Sequence, residues 1–149
     1  MIQKAKHLWT VILGGLMSLL GLSSCGHMFR AEYGCPHVDF KFIGEASGDG
    51  KPVEGIRVVL FEGNEERSYA IDTSYTDASG KTERILDMVS IPGQMYAKFE
   101  DVDGPENGSW QTQIVRKERM EIVQTEDGDG RWDHGDYTVT ARADLKKAE

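Results

Sequence analysis

Apolar and polar side chains alternate over most of the chain beyond residue 37, with the period of two that is typical of β-strands. His37–Ala46 shows this best, because Val38, Phe40 and Phe42 alternate with charged residues. Ile56–Phe61 is almost continuously apolar, as expected for a strand at the centre of a sandwich. The other predicted strands are Ser68–Thr76, Lys81–Ser90, Gln94–Val102, Gln111–Thr125 and Asp136–Leu145. The pattern predicts an all-β domain of seven strands.

Turn-forming residues separate these strands at regular intervals. Ser47–Pro52 is dense in Gly, Asp and Pro, and Asp77–Gly80 fits a type I turn with Asp first and Gly last. Several short strands with frequent turn signals indicate an all-β sandwich or barrel.

The first 25 residues have a different character. Lys4 and Lys6 precede the uncharged apolar stretch Leu8–Leu22, which ends in Ser23-Ser24-Cys25. This order is typical of an export signal, and the small residues before the cysteine resemble the lipobox of bacterial lipoproteins. The resemblance implies that the chain is cleaved before Cys25 and that the Cys25 sulfur is acylated. The alternative is a transmembrane anchor, although about 15 apolar residues are short of the ~20 that span a bilayer.

The predicted organisation is therefore a signal peptide over 1–24, a lipidated tether over 25–36 and one β-domain over 37–149. About 125 residues remain after cleavage, which is enough for one hydrophobic core. Gly26 follows the cysteine, so the acidic retention signal for the inner membrane is absent. This favours the outer membrane, on either face.

The net charge narrows the range of partners. It is −8 for the whole chain and falls to about −10 when Lys4 and Lys6 are removed with the signal peptide. Nucleic-acid binding requires Lys and Arg to neutralise phosphates, so no nucleic-acid partner is expected. An acidic chain is not drawn to anionic lipid either, and we expect membrane attachment through the lipid anchor.

Two segments, Gly48–Leu60 and Asp72–Lys81, resemble the carboxypeptidase-regulatory-like domain. That resemblance implies a seven-stranded, transthyretin-like Greek-key sandwich. Together with Tyr33–Pro36 after the lipobox and with Asp101–Gly108, the chain is similar to the radical SAM-associated lipoproteins. This second resemblance implies an envelope location, but no biochemical activity comes with it.

Motifs of catalysis are absent from the sequence. It contains no His-Glu-x-x-His, no Gly-x-Ser-x-Gly and no Cys-x-x-Cys, and Pro52 stands where a phosphate loop needs Ser or Thr. The turn motifs specify a fold and carry no catalytic groups. The sequence therefore predicts that the chain is not an enzyme and that its domain binds a protein or a glycan of the envelope.

The sequence predicts no cofactor, and the alternative is Ca²⁺, for which two acidic loops offer oxygen ligands. Asp101, Asp103 and Glu106 lie in one loop, and Asp127–Asp133 alternates carboxylates with glycines. Arg131 interrupts the second loop where a Ca²⁺ loop places an oxygen donor. The alternative is that both are hairpin loops whose side chains bind local backbone amides.

Three further residues are candidates for recognition or modification. Trp110 and Trp132 stand beside acidic loops, where each could stack on a partner or close the end of the core. Cys35 is left without an intramolecular partner if Cys25 is lipidated. It is a buried or inert thiol, or the site that a radical SAM enzyme modifies.

Overall fold

The structure is a computed structural model that describes residues 37–88, 91–104, 108–130 and 132–148. These residues form nine strands and no α-helix. The strands are β1 His37–Gly48, β2 Lys51–Pro52, β3 Arg57–Asn64, β4 Arg67–Tyr75, β5 Lys81–Met88, β6 Met95–Glu100, β7 Gln113–Arg116, β8 Glu121–Glu126 and β9 Asp133–Leu145.

The strands are divided between two sheets. The first sheet has the order β2-β1-β9-β8, and β5 pairs with the same edge of β1 as β2 does. The second sheet has the order β4-β3-β6-β7. The pairing of β1 with β9 is parallel and runs from His37 to Gly48, and the other named pairs are antiparallel.

The alternation seen in the sequence places one face of each sheet in a shared core. On β1, every second residue from Val38 to Gly48 is buried. Phe40, Phe42 and Val139 of the first sheet meet Leu60 and Phe99 of the second in one apolar cluster, and none of these five is more than 1% exposed. Burial of that apolar surface is the main stabilising term for a domain without an internal disulfide.

The two open sides of the sandwich are closed in different ways. On one side the chain leaves the second sheet after β7, makes a single 3₁₀ turn over Lys117–Arg119 and enters the first sheet as β8. On the other side an ion pair joins β5 to β4 across the gap, with Arg84 Nε 3.1 Å from Asp72 Oδ2. This inward-facing charge and the irregular register between Leu60 and Phe61 also make the exposed edge of β4 a poor template for pairing with another chain.

The all-β sandwich expected from the sequence is confirmed, but the described residues contain nine strands where seven were predicted. The short β2 lies inside the predicted turn Ser47–Pro52. The single strand predicted over Gln111–Thr125 is wrong, because the 3₁₀ turn divides it between the two sheets as β7 and β8. The four consecutive charged residues from Arg116 to Arg119 interrupt the alternation, and the prediction of one strand ran across this break.

The predicted signal peptide and tether, residues 1–36, lie outside the described residues. Within the part of the chain that the structure describes, we find no helix whose length and apolar character would let it cross a membrane.

Candidate functional site

An open groove of about 440 Å³ crosses the first sheet near the end at which β1 and β9 finish. Its walls come from β1, β2, the turn before β5, the 3₁₀ turn and β9. Four of the lining side chains are cationic, namely Lys51, Lys81, Arg119 and Arg142. We call this surface the basic groove.

The charge of the basic groove is opposite to that of the chain. Its four cations stand with two acidic residues, Glu45 and Asp144, which leaves a net charge of +2. The whole chain carries −8. A local reversal of sign in an acidic protein concentrates anions at that place, because the field of clustered charges extends over about 8 Å at physiological salt.

Strand register assembles the centre of the groove. Glu45 on β1 lies directly opposite Lys81 on β5 and Arg142 on β9. Lys81 Nζ is 2.8 Å from Glu45 Oε1, and Arg142 Nε donates to Glu45 Oε2 over 2.8 Å. The hydrogen bond from Lys81 lowers the pKa of Glu45, and that from Arg142 acts in the same direction.

Lys51 and Arg119 differ from this central pair of cations. Both are exposed, and neither makes an ion pair or side-chain hydrogen bond within the described ranges. The charges of these two side chains are therefore available to a ligand. Carboxylates and phosphates are the groups that Lys and Arg recognise most strongly, Arg with two parallel hydrogen bonds.

A tight turn sets the position of Lys81. A β-turn at Asp77–Gly80 is present as predicted, since the Gly80 amide donates to the Asp77 carbonyl over 2.8 Å. Gly80 has φ of +73°, and a Cβ there would lie 2.5 Å from the Ala46 carbonyl oxygen. The Asp77 carboxylate accepts hydrogen bonds from the Ser79 hydroxyl and from the Lys81 amide, which lower its pKa.

The sequence did not point to these four cations as site residues. They lie on four different elements between positions 51 and 142, and no local spacing connects them. Lys51 and Lys81 fall within the segments that resemble a known domain, but there they stand among turn residues. Only the register of β5, β1 and β9, together with the 3₁₀ turn, brings the charges to one surface.

The structure describes two of the three predicted calcium ligands, Asp101 and Asp103. Asp101 Oδ2 accepts a hydrogen bond from the Trp110 amide over 2.8 Å, so this carboxylate holds the loop as the alternative interpretation expects. Glu106 lies outside the described residues, as do Cys25 and Cys35. Among the described residues, no three His, Cys, Asp or Glu side chains are grouped so that they could hold a metal ion. Calcium binding by Asp101, Asp103 and Glu106 stays a prediction.

The two tryptophans have different environments. The Trp110 ring is half-buried, packs against the core and covers Gly48, where a Cβ would lie 2.3 Å from the ring. Trp110 therefore closes one end of the sandwich. Trp132 is 38% exposed, and its carbonyl accepts a hydrogen bond from the His37 amide at the start of β1.

No family model and no curated protein matches the sequence. Solved structures do match the fold. The dioxygenase domain of a dioxygenase–carbohydrate-binding protein fusion from Streptomyces sp. SirexAA-E is 13% identical with a TM-score of 0.50, covering 85% of this chain and 97% of that one. Catechol 1,2-dioxygenase from Pseudomonas arvilla C-1 is 14% identical with a TM-score of 0.50, covering 96% of this chain and 69% of that one.

Identities this low show the fold alone. Both neighbours are nevertheless dioxygenases, so a β-sandwich of this kind is a fold that enzymes use. The prediction that the chain is not an enzyme is contradicted by these neighbours. That prediction rested on turn motifs that specify the fold and contain no catalytic groups. The same fold can carry many functions, so motifs of the fold say nothing about catalysis.

Proposed function

We propose that this chain is a lipid-anchored lipoprotein of the cell envelope whose β-sandwich binds an anionic partner in the basic groove. The observation that carries the proposal is a net-positive groove, with two unpaired cations, on a chain of net charge −8. In this proposal Cys25 provides the anchor, residues 25–36 form the tether and the domain from His37 onward recognises a protein or glycan.

The sequence alone supports the anchor. A basic start, an uncharged apolar stretch and Leu22-Ser23-Ser24-Cys25 follow one another in the order that lipoprotein processing requires. Two or more acyl chains at Cys25 would hold the chain firmly in a bilayer, because each buried methylene contributes about 0.8 kcal/mol. The similarity to radical SAM-associated lipoproteins supports the same location, with Gly26 favouring the outer membrane.

The anchor can be tested by producing the full chain in a bacterium with lipoprotein processing. The wild-type chain should be recovered in the membrane fraction with the mass of residues 25–149 plus acyl chains. Cys25→Ala should remain uncleaved and carry no lipid. A lipid-bearing, cleaved Cys25→Ala product would overturn the assignment. A mass on the peptide with Cys35 that differs from the encoded one would instead support modification of that thiol.

The groove can be tested by retention of the detergent-solubilised full chain on a dextran sulfate column. The double variant Lys51→Ala/Arg119→Ala should elute at lower salt than the wild type. The matched control is Lys41→Ala/Arg67→Ala, which has the same net charge and removes two cations outside the groove, the half-buried Lys41 that pairs with Glu83 and the exposed Arg67. Equal elution of the two double variants would contradict binding in the groove.

A further inference from the structure

The two unpaired cations of the basic groove stand on opposite sides of it. Lys51 belongs to β2, which pairs with one edge of β1, and β9 occupies the other edge. Arg119 lies beyond β9, two residues before β8 begins. Three strand spacings therefore separate their backbones, which is roughly 14 Å across the sheet. A Lys and an Arg side chain together reach about as far, so a small anion between them competes with a longer ligand that has one anionic group at each side of the groove.

The centre of the groove offers little free charge. Glu45 engages both Lys81 and Arg142, and a second carboxylate, Glu121 Oε2, accepts from Arg142 Nη1 over 2.8 Å. The hydrogen bond from Lys81 keeps the pKa of Glu45 low, so these cations are already neutralised at neutral pH. Anionic groups of a ligand are thus favoured at the two ends of the groove and not in the middle.

Hydrogen-bonding groups also line the groove. They are the hydroxyls of Ser47 and Ser79, the amide of Gln113 and the carboxylate of Asp144. The apolar part of the lining is limited to small side chains such as Ala46, Pro52 and Ala143. Side chains this small form no deep apolar pocket of the kind that holds the large side chains of most peptides, and the lining suits a ligand that combines hydroxyl groups with small apolar faces, as a sugar does.

We propose that the ligand is an extended acidic glycan that lies across the strands, with carboxylates at Lys51 and at Arg119 and sugar hydroxyls in contact with the hydrogen-bonding side chains that line the groove. This inference rests on the proposed anion-binding function and specifies its ligand class. An acidic peptide is the competing occupant, since it has the same charges but few hydroxyls.

The test is calorimetric titration of the detergent-solubilised full chain with four probes. They are a uronic-acid hexasaccharide, the uronic-acid monosaccharide, a neutral hexasaccharide and a hexaglutamate peptide. The charged hexasaccharide should bind more tightly than the other three. Lys51→Ala and Arg119→Ala should each weaken its binding about two- to fivefold, the range of an exposed ion pair, and Lys41→Ala should leave it unchanged.

The outcomes separate the two proposals. Hexaglutamate binding as tight as that of the charged hexasaccharide would overturn the glycan assignment and leave the anion site standing. Equal binding of the monosaccharide would overturn the two-ended arrangement, and equal binding of the neutral hexasaccharide would overturn the role of the cations. Absence of binding by every anionic probe would overturn the groove as a binding site.

Discussion

Thr76 connects the turn region to the core through a single buried hydroxyl. Its Oγ1 donates to the Val53 carbonyl over 2.8 Å and accepts from the Ile56 amide over 3.0 Å, and the residue is 4% exposed. Both backbone groups lie where water cannot replace the bond. The hydroxyl thus fixes the path of the chain between β2 and β3, which positions Lys51 at the rim of the basic groove.

Replacing Thr76 by valine keeps the shape of the side chain but leaves a buried amide and a buried carbonyl unpaired. We expect Thr76→Val to lower the free energy of unfolding by about 2–6 kcal/mol, at about 1–3 kcal/mol for each unsatisfied group. Denaturant titration of the full chain measures this. Thr73→Val, on the exposed part of β4, is the control and should change stability by less than about 0.5 kcal/mol. Similar values for both variants would contradict the role of Thr76.

Asp39 lies in a row of carboxylates at the opposite end of the first sheet from the groove. It stands opposite Asp87 on β5 and Asp136 on β9, and Asp136 stands opposite Glu126 on β8. The hydrogen bond with Asp87 raises the pKa of Asp39; partial burial and the charges of Asp87 and Asp136 act in the same direction, while His37 opposes them. Like charges directly across strands destabilise a sheet.

A raised pKa in the folded state means that the native protein binds this proton more tightly than the unfolded chain does. The stabilisation is complete below the ordinary pKa of 3.8 and is lost as the pH rises through the raised value. Asp39→Asn should therefore raise the melting temperature by about 1–3 °C at pH 7, and the gain should shrink as the pH approaches 4. Glu54→Gln removes one exposed negative charge elsewhere and should show no such pH-dependent gain. An equal rise in melting temperature for both variants would show that net charge, and not the row of carboxylates around Asp39, is responsible.

At the scale of elements, the turn before β5 is a specific requirement of the fold. Gly80 and Gly50 have nearly the same left-handed conformation, with φ of +73° and +74°. A Cβ at Gly50 would meet no atom within 4 Å, whereas at Gly80 it would press on the backbone of Ala46 and on Pro52. Substitution of Gly50 therefore measures the cost of the left-handed conformation alone, whereas substitution of Gly80 adds the cost of the steric clash.

Gly50→Ala should lower the free energy of unfolding by about 1–2 kcal/mol, the cost of a left-handed non-glycine residue. Gly80→Ala should lower it by more, since the backbone of β1 has to move as well. It should also elute earlier from the dextran sulfate column, because the added Cβ would press on Pro52, which directly follows Lys51. Thermal and denaturant unfolding of both variants would check the order, and an equal loss would show that the close approach at Gly80 is relaxed without cost.

For the whole molecule, charge is separated along the first sheet. The acidic row lies beside His37, where the described chain begins, and the basic groove lies where β1 and β9 end. Asp39 in the row and Glu45 in the groove are six residues apart on β1, roughly 20 Å, which is well beyond the screening length at physiological salt, so the two charged regions act independently. In the proposed lipoprotein the tether joins the acidic end, which anionic lipid repels.

Calcium binding is also a property to test on the whole molecule. If Asp101, Asp103 and Glu106 hold Ca²⁺, millimolar CaCl₂ should raise the melting temperature of the full chain by several degrees, because a ligand that binds only the native state stabilises it. MgCl₂ at the same ionic strength is the control. A melting temperature that does not respond, or responds equally to both salts, would remove the calcium hypothesis.

The sequence by itself determined the fold class, because β-alternation is local: His37–Ala46 shows which residues face the core before any partner strand is known. It also determined the turn at Asp77–Gly80, where Asp and Gly fit one conformation. The proposals for Cys25 and the signal likewise depend on contiguous residues and need no structure.

Only the tertiary structure decided which strands share a sheet. The same pairing decided where the cations of the basic groove come together. The division of Gln111–Thr125 into β7 and β8 falls at the charged run Arg116–Arg119, which marks a break in the alternation but not the sheet that each half joins. The basic groove depends on the parallel register that sets Arg142 beside Glu45 and on the antiparallel register that sets Lys81 on its other side. Register is fixed by core packing between residues far apart in the chain, and a one-residue shift would turn these side chains to the opposite face.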